Sequence, residues 1–350
     1  MSKKIFVGMS GGVDSSLSAA LLQEEGYSVT GVYMKNWTRN LPGFVCSWED
    51  DFKDAKTVAL QLGIDFKVFD FESSYRKKVV DYMLNAYVSG LTPNPDIVCN
   101  QEIKFKLFLD TAIEQGADYI ATGHYARVHA GQLYTGLDAS KDQSYFLYRI
   151  SGSALKRTIF PLGELKKNQV RKEAQKRGLI TAAKPDSQGI CFVGEVGIKQ
   201  FLLSELGSQR PGEIIDQKGK IIGEHDGALF YTIGQRHGLN IGGGLPYYVT
   251  HKDMQANQIF VTTDLNDPYL WSKKIELRDL SWIDEPPIAG KKYGVKCRYR
   301  SDNVGCIISI KRDIAFVEFD TEVRAVSPGQ SAVIYENDRL IGGGTISKAV

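Results

Sequence analysis

The chain has 350 residues, too long for one ordinary compact domain, and its length predicts two or three. Hydrophobic residues make up 43% and charged residues 24%, which excludes wholesale disorder, and no apolar run reaches the roughly 20 residues of a membrane span. The net charge of +2 and five cysteines without a C-x-x-C pair exclude a secreted disulfide framework and disfavour a closely spaced zinc site, so a cytoplasmic protein with no membrane partner and no protein-held metal is expected.

The first element pair lies in KIFVGMSGGVDSSLSAALLQEE, Lys4 to Glu25. Ile5 to Met9 reads as an apolar strand, and Leu17, Ala20 and Leu21 recur at helical spacing behind a loop of small residues. Gly11 and Gly12 let the backbone approach a phosphate, and the free N–H groups and positive dipole end of the helix attract an anion. A Walker A loop is excluded because Val13-Asp14-Ser15 stands where Gly-Lys-Ser/Thr is required, and the G-x-G-x-x-G dinucleotide spacing is absent. SGGVDSS resembles instead the pyrophosphate (PP) loop of ATP-pyrophosphatases, which split ATP between the α and β phosphates and transfer AMP to an oxygen. That resemblance makes Gly8, Met9, Ser10, Gly11, Gly12, Val13, Asp14 and Ser15 the expected ATP-binding stretch.

Strand and helix patterns then alternate. Val29 to Tyr33 and Phe66 to Phe69 read as strands, Asp50 to Leu62 and Tyr75 to Val88 as helices, Ile103 to Gln115 as a helix and Tyr119 to Thr122 as a strand. This predicts an α/β fold with a doubly wound parallel sheet, in which Ser10 to Ser15, Met34 to Asn36 and Gly123 to His124 face one crevice outside the strand ends. Leu155 to Arg177 carries eight basic residues against two acidic ones, suited to a phosphate backbone or to a solvated helix face. Glu164 to Leu206 reads as helical with an interruption at Ala182 to Val193. After Pro211-Gly212, GEIIDQKGKIIGEH, PYYVTHKD and NQIFVTTD read as hairpin-like strands, and a further β region runs from about Trp271 to the end. Within it, Lys291 to Arg300 (KKYGVKCRYR) holds five basic residues and no acidic one, interleaved with Tyr293 and Tyr299, a pattern that favours RNA. The expected domains are 1–206, 207–269 and 270–350.

Two cysteines stand apart from apolar runs. Cys99 lies in LTPNPDIVCNQEIKF, three residues after Asp96 at a helix entrance, and Cys191 lies in the polar loop KPDSQGICFVG. Cys297 and Cys306 read as core residues and Cys46 is undecided. Asp96 reads either as a general acid or base beside the thiol or as a turn-forming aspartate after proline.

The blocks GMSGGVDSS, TPNPDIVCN, ATGHYA, KDQSYFL, KPDSQGICF, YTIGQRHGL and SPGQSAV, in this order, resemble the tRNA-specific 2-thiouridylase (MnmA) family over nearly the whole chain. The resemblance implies an adenine nucleotide hydrolase-like PP-loop domain, two smaller β-rich domains of which the last is a β-barrel-like tRNA-binding domain, and ATP-dependent 2-thiolation of the wobble uridine in tRNA for Lys, Glu and Gln. ATP would adenylate the C2 oxygen, Cys191 would carry a persulfide received from a relay protein or a cysteine desulfurase, and Cys99 would complete the transfer. Two routes stay open, release of sulfide or direct attack by the persulfide, each ending in a Cys99–Cys191 disulfide and each calling for a mobile loop at 182–193. The family further implies that Asn94, Pro95 and Asp96 contact the target base, that Met34 and Gly123 line the ATP pocket, and that Mg2+ accompanies ATP without a protein cage. His124, Lys141, Asp142 and Gln143 would face the tRNA, and Arg298, Tyr299 and Gln330 would hold its anticodon stem-loop. The weakest correspondence is at Thr38 to Trp48. An iron–sulfur cluster on Cys46, Cys99 and Cys191, a small-molecule ATP-pyrophosphatase and a nonenzymatic RNA-binding protein are the rival readings.

Overall fold

The computed structural model describes residues 2–40, 46–186, 197–239, 241–242 and 244–350. Its first sheet is parallel and built around strand β1 (Lys4–Gly8), whose Ile5, Phe6 and Val7 are buried on both faces as a central parallel strand requires. The loop after β1 enters helix α1 (Val13–Glu24); then come β2 (Ser28–Lys35), α2 (Trp48–Leu62) and β3 (Asp65–Asp70). Four later strands follow: β4 (Tyr119–Ala121), the hairpin of β5 (Ala126–His129) and β6 (Gln132–Thr135), and β7 (Thr158–Ile159). The sheet order is β3-β2-β1-β4-β7, so the winding reverses between β1 and β4, and a crevice opens there at the carboxyl ends of the strands. The expected doubly wound domain is present.

Two helical predictions extend further than their apolar spacing indicated. The segment expected from Tyr75 begins at Glu72 and runs to Val88 through a π-helical turn at Arg76–Val80. The segment expected from Ile103 begins at Pro95, whose fixed φ and missing N–H suit a first helical position, and continues through a π-helical stretch at Asn100–Leu107 to Glu114. Cys99 is therefore the last residue of the opening α turn, immediately before the wide stretch, a local geometry that recurs at functional sites.

The central β unit consists of β8 (Gly212–Asp216), β9 (Ile221–His225), β10 (Tyr248–Asp253) and β11 (Gln258–Thr262) in the order β10-β11-β8-β9. The last six strands, β12 (Trp271–Trp282), β13 (Lys292–Lys296), β14 (Val304–Lys311), β15 (Ile314–Arg324), β16 (Ser331–Glu336) and β17 (Arg339–Ala349), form a closed antiparallel barrel, β12 pairing with both β15 and β17. Ile275, Leu277, Val295, Ile308, Val317, Phe319 and Ile346 fill it, and Cys297 and Cys306 are buried among them, as their β-like runs indicated. The β5–β6 hairpin, absent from the sequence reading, adds to the barrel through Leu133 opposite Leu340, so one continuous sheet joins the hairpin after β4 to the barrel. Among the described residues no helix is long and apolar enough to cross a membrane.

Candidate active site

The loop after β1 is tied by its own serines. Ser15 Oγ accepts from the Ser10 amide at 3.1 Å and donates to the Gly12 carbonyl at 3.1 Å, while Ser16 Oγ donates to the same carbonyl at 2.8 Å. Gly12 is the N-cap of α1, extended at φ −97° and ψ 164°, and no side chain caps the helix, which leaves the amides of its first turn for an anion. Gly11 sits at φ +73°, where a β-carbon would overlap the Asp51 carbonyl at the start of α2. Across the crevice, a β-carbon on Gly123 would lie 2.9 Å from the Ser15 amide, so the segment after β4 packs directly on the start of α1. Met34 leans on Gly8, and nearby in the chain the buried Asn36 Oδ1 has no hydrogen-bond partner among the described residues. An uncapped helix start, a cradle that admits only glycine and an orphaned acceptor together fit a nucleotide phosphate and base.

Asp14 is the hub of a charge network that the sequence did not reveal. Lys167 Nζ lies 2.7 and 2.9 Å from its two carboxylate oxygens, and the Tyr125 hydroxyl donates to it at 2.8 Å. Lys167 also meets Asp186 at 2.8 Å, which in turn holds Lys141 at 2.8 Å and Arg171 at 2.6 Å. Burial alone would raise the Asp186 carboxyl, but Lys141 and Lys167 overcome it and bring the group down to about 2. Lys184, two residues earlier, bridges Asp51 and Asp54 of α2 at 2.8 and 2.6 Å. The basic run 155–177, read from the sequence as suited to a phosphate backbone, is thus divided. Its helix Lys167–Lys176 buries Val170 and Ala174, which turns Lys167 and Arg171 toward the loop, and Arg177 is paired with Glu24 and Glu173. The signal that could have shown this was the spacing of Lys167 and Arg171, one helical turn apart beside buried positions.

The TPNPD turn opens the helical segment that carries Phe105. Asn94 caps the helix with extended backbone but its side chain makes no cap bond, leaving the amide for another partner. Asp96 and Cys99 follow on one helical face, a turn apart, the thiol only 4% exposed. Lys104 places its charge on both Asp96 and His124. His124 is buried between Phe105 and Phe160, 5.6 and 5.9 Å from its ring, and Thr122 Oγ1 lies 2.7 Å from its Nδ1. Burial holds its pKa well below the ordinary value, with Lys104 adding, so the ring is neutral at neutral pH.

Burial likewise pushes the Asp96 carboxyl above its ordinary pKa, with Lys104 opposing. The folded protein keeps this proton to a higher pH than the unfolded chain, so ionisation above the folded-state pKa costs stability. Asp96→Asn cannot ionise and is expected to melt near the parent at about pH 4, where the unfolded aspartate is half protonated, and above it at neutral pH. Thermal melts of both proteins at the two pH values check this, and an equal gap at both would contradict it.

Gln330, from the barrel, donates to the Thr92 carbonyl at 2.8 Å, and the Thr92 amide donates to the Pro328 carbonyl at 3.0 Å. The turn that carries Asp96 is thereby braced from the barrel. Arg298 donates to the carbonyls of Ile233 and Ala325 at 2.9 and 2.5 Å, locking the central unit to the barrel, while Tyr299 packs at a tilt against Phe146, ring centres 4.4 Å apart. Asp142 is buried, accepting from the amides of Gly136 and Ser144 at 3.0 and 3.1 Å, and Gln143 accepts from the Tyr125 amide at 3.0 Å. Contacts thus join the start of α1 to Gly123, Tyr125 and Lys167, with Lys141 reached through Asp186, and join His124 to Phe105 of the helical segment that opens at Pro95 and carries Asp96 and Cys99, while Gln330 holds the Thr92 carbonyl ahead of Asn94. Cys191 lies outside the described residues, as does most of the loop expected at 182–193. Cys46 is half-buried, its Sγ 3.8 Å from the Trp37 carbonyl.

Comparison with known proteins agrees along the whole chain. Residues 3–195 match the family model described as "tRNA methyl transferase HUP domain", 199–263 the "tRNA methyl transferase PRC-barrel domain" and 272–346 the "Aminomethyltransferase beta-barrel domain". The chain is 46% identical to the "tRNA-specific 2-thiouridylase MnmA" of Geobacillus thermodenitrificans over 99% of its own length and 95% of that protein's. It is 44% identical to the protein of the same name from Bacillus subtilis, over 98% and 94% of the two lengths. Among solved structures, a 4-thiouridine synthetase in complex with RNA and ATP aligns at 19% identity and a TM-score of 0.38 over 55% of this chain and 45% of that one.

Proposed function

We propose, from the premise that the chain belongs to the tRNA-specific 2-thiouridylase (MnmA) family and is a tRNA sulfurtransferase, that it replaces the C2 oxygen of a wobble uridine by sulfur, in tRNA for Lys, Glu and Gln. The observation that carries this reading is an uncapped phosphate loop packed on Gly123, whose neighbour His124 packs on the helical segment that holds a half-buried acid, Asp96, and the buried Cys99 one turn apart.

A conjugated carbonyl oxygen is a poor leaving group. The loop from Ser10 to Ser15 and the amides at the start of α1 would hold the phosphates of ATP, and Gly123 leaves room for them. Lys167, held on Asp14 at the start of α1, would meet charge that develops on the phosphates during adenylation, and Mg2+ would enter with the nucleotide. Asn94 and the backbone of the TPNPD turn would hold a base turned out of its loop, since chemistry on a stacked base is sterically blocked. Asp96, its carboxyl pushed above its ordinary pKa by burial with Lys104 opposing, is suited to donate to the departing oxygen or to receive a proton from the attacking sulfur.

Sulfur would arrive on Cys191 as a persulfide from a donor protein. In one route the Cys99 thiolate attacks the Cys191 sulfur, forming the disulfide and expelling sulfide, which displaces AMP from C2. In the other the terminal persulfide sulfur displaces AMP first, and Cys99 then attacks the Cys191 sulfur, releasing the thiocarbonyl and closing the same disulfide. Both routes need a thiol reductant to restore the pair. Incubation of the protein with ATP, Mg2+, a sulfide source and unmodified tRNA should yield 2-thiouridine and AMP in equal amounts. AMP formation without tRNA dependence would favour a small-molecule pyrophosphatase, and tRNA binding without AMP would favour a nonenzymatic role.

A further inference from the structure

YTIGQRHGL has no role in the chemistry above, yet hydrogen bonds hold its loop at several points. Gln235 accepts from the Thr232 amide at 3.0 Å and donates to the His237 carbonyl at 2.9 Å, and the Gly234 amide donates to Val249 at 2.7 Å. Thr232 Oγ1 lies 3.3 Å from Thr92 Oγ1, at the root of the TPNPD turn, and Arg298 grips the Ile233 carbonyl from the barrel. The tip, Arg236 and His237, is exposed.

Around this joint the cations lack counter-charges. Lys291, Lys292 and Lys296 of the barrel each meet a carboxylate, whereas among the described residues no ion pair involves Arg236, Arg298, Arg300 or Arg324. Arg324 stacks on Tyr248 with its guanidinium carbon 4.8 Å from the ring, and its buried Nε has no acceptor among the described residues. Arg298 and Arg324 are close enough that, after burial, the charge of Arg324 is felt by Arg298. Arg300 is exposed, its backbone at φ +63° and its guanidinium over Tyr299 at 5.1 Å. A half-buried arginine without a carboxylate is costly unless an anion completes it.

The geometry points to a phosphodiester-binding seat formed by Arg236 and His237 of the central unit with Arg324 and its Tyr248 stack at the barrel joint, which guides the RNA backbone toward the TPNPD turn. It rests on the tRNA reading above. Phosphate oxygens would supply the counter-charge that Arg324 lacks among the described residues, and the hydrogen-bonded loop fixes the Arg236 backbone before binding.

The test is the salt dependence of affinity for unmodified tRNA, measured by fluorescence anisotropy. Arg236→Gln and Arg324→Gln are each expected to weaken binding and to flatten the plot of log affinity against log salt by about 0.7 to 1. Pyrophosphate release from ATP, read on tRNA-saturated protein, should stay at the parent level. Arg236 is exposed and its variant carries the test even if Arg324→Gln fails to fold. An unchanged slope in Arg236→Gln, beside a steep wild-type slope, overturns the seat alone. Loss confined to sulfur delivery from a protein donor, with RNA binding intact, also overturns it and assigns the surface to the donor. A wild type without salt-dependent tRNA affinity overturns the tRNA reading and the seat with it.

Discussion

Cys99→Ser should abolish thiolation from a protein persulfide donor, by about three orders of magnitude or more, the loss typical of removing a nucleophile that acts in concert with others. Serine is nearly isosteric, and the position is buried at the end of the helical turn Pro95–Cys99, so ATP and tRNA binding should survive. The hydroxyl cannot displace a sulfur from Cys191 and cannot end as a disulfide. Free sulfide as donor separates the two routes. Where sulfide is normally released, added sulfide bypasses the missing thiol and restores turnover in Cys99→Ser. Where the persulfide attacks directly, the adduct between Cys191 and the base accumulates and is visible by mass. Unchanged turnover from the protein donor would remove Cys99 from the chemistry, whichever route holds.

Lys167→Met should cut pyrophosphate release by about a hundredfold, the scale of losing one charged donor aimed at developing charge, while tRNA affinity stays near the parent. The side chain is only 12% exposed and its ammonium sits between Asp14 and Asp186, so its removal also leaves two carboxylates facing each other beside the phosphate loop. Lys167→Arg keeps the charge with a different shape and is expected to recover part of the rate. The opposite pattern, weakened tRNA binding with pyrophosphate release intact, would restore the sequence reading of this helix as an RNA surface.

What the sequence disclosed was what local pattern controls. The strand, glycine loop and helix of residues 4 to 25 are contiguous, and Gly11 is demanded by a positive φ that no neighbour alters. Short alternating runs after residue 211 likewise announced β structure, and Cys297 and Cys306 sat within them as core residues. What stayed hidden depends on pairings between distant segments. Leu133 meets Leu340 only because the hairpin after β4 extends the barrel, and four-residue strands give too few alternations to be read. Charge counts placed Lys167 and Arg171 with their solvated neighbours, although Asp14 and Asp186, far away in the chain, claim them. Gln330 and Arg298 are expected to hold tRNA, and the fold adds hydrogen bonds from both to the backbone of Thr92, Ile233 and Ala325, which no sequence pattern announces. The Asp96 reading, open between acid–base chemistry and turn formation, gains from burial, which a sequence cannot supply at a turn.

The central claim is that the uridine's own C2 oxygen leaves on AMP after ATP activates it. Unmodified tRNA carrying oxygen-18 at C2 of the wobble uridine, thiolated by the protein in ordinary water, tests this directly through the mass of the AMP produced. The account predicts one heavy oxygen in each AMP formed per 2-thiouridine. Unlabelled AMP alongside thiolated tRNA would contradict it.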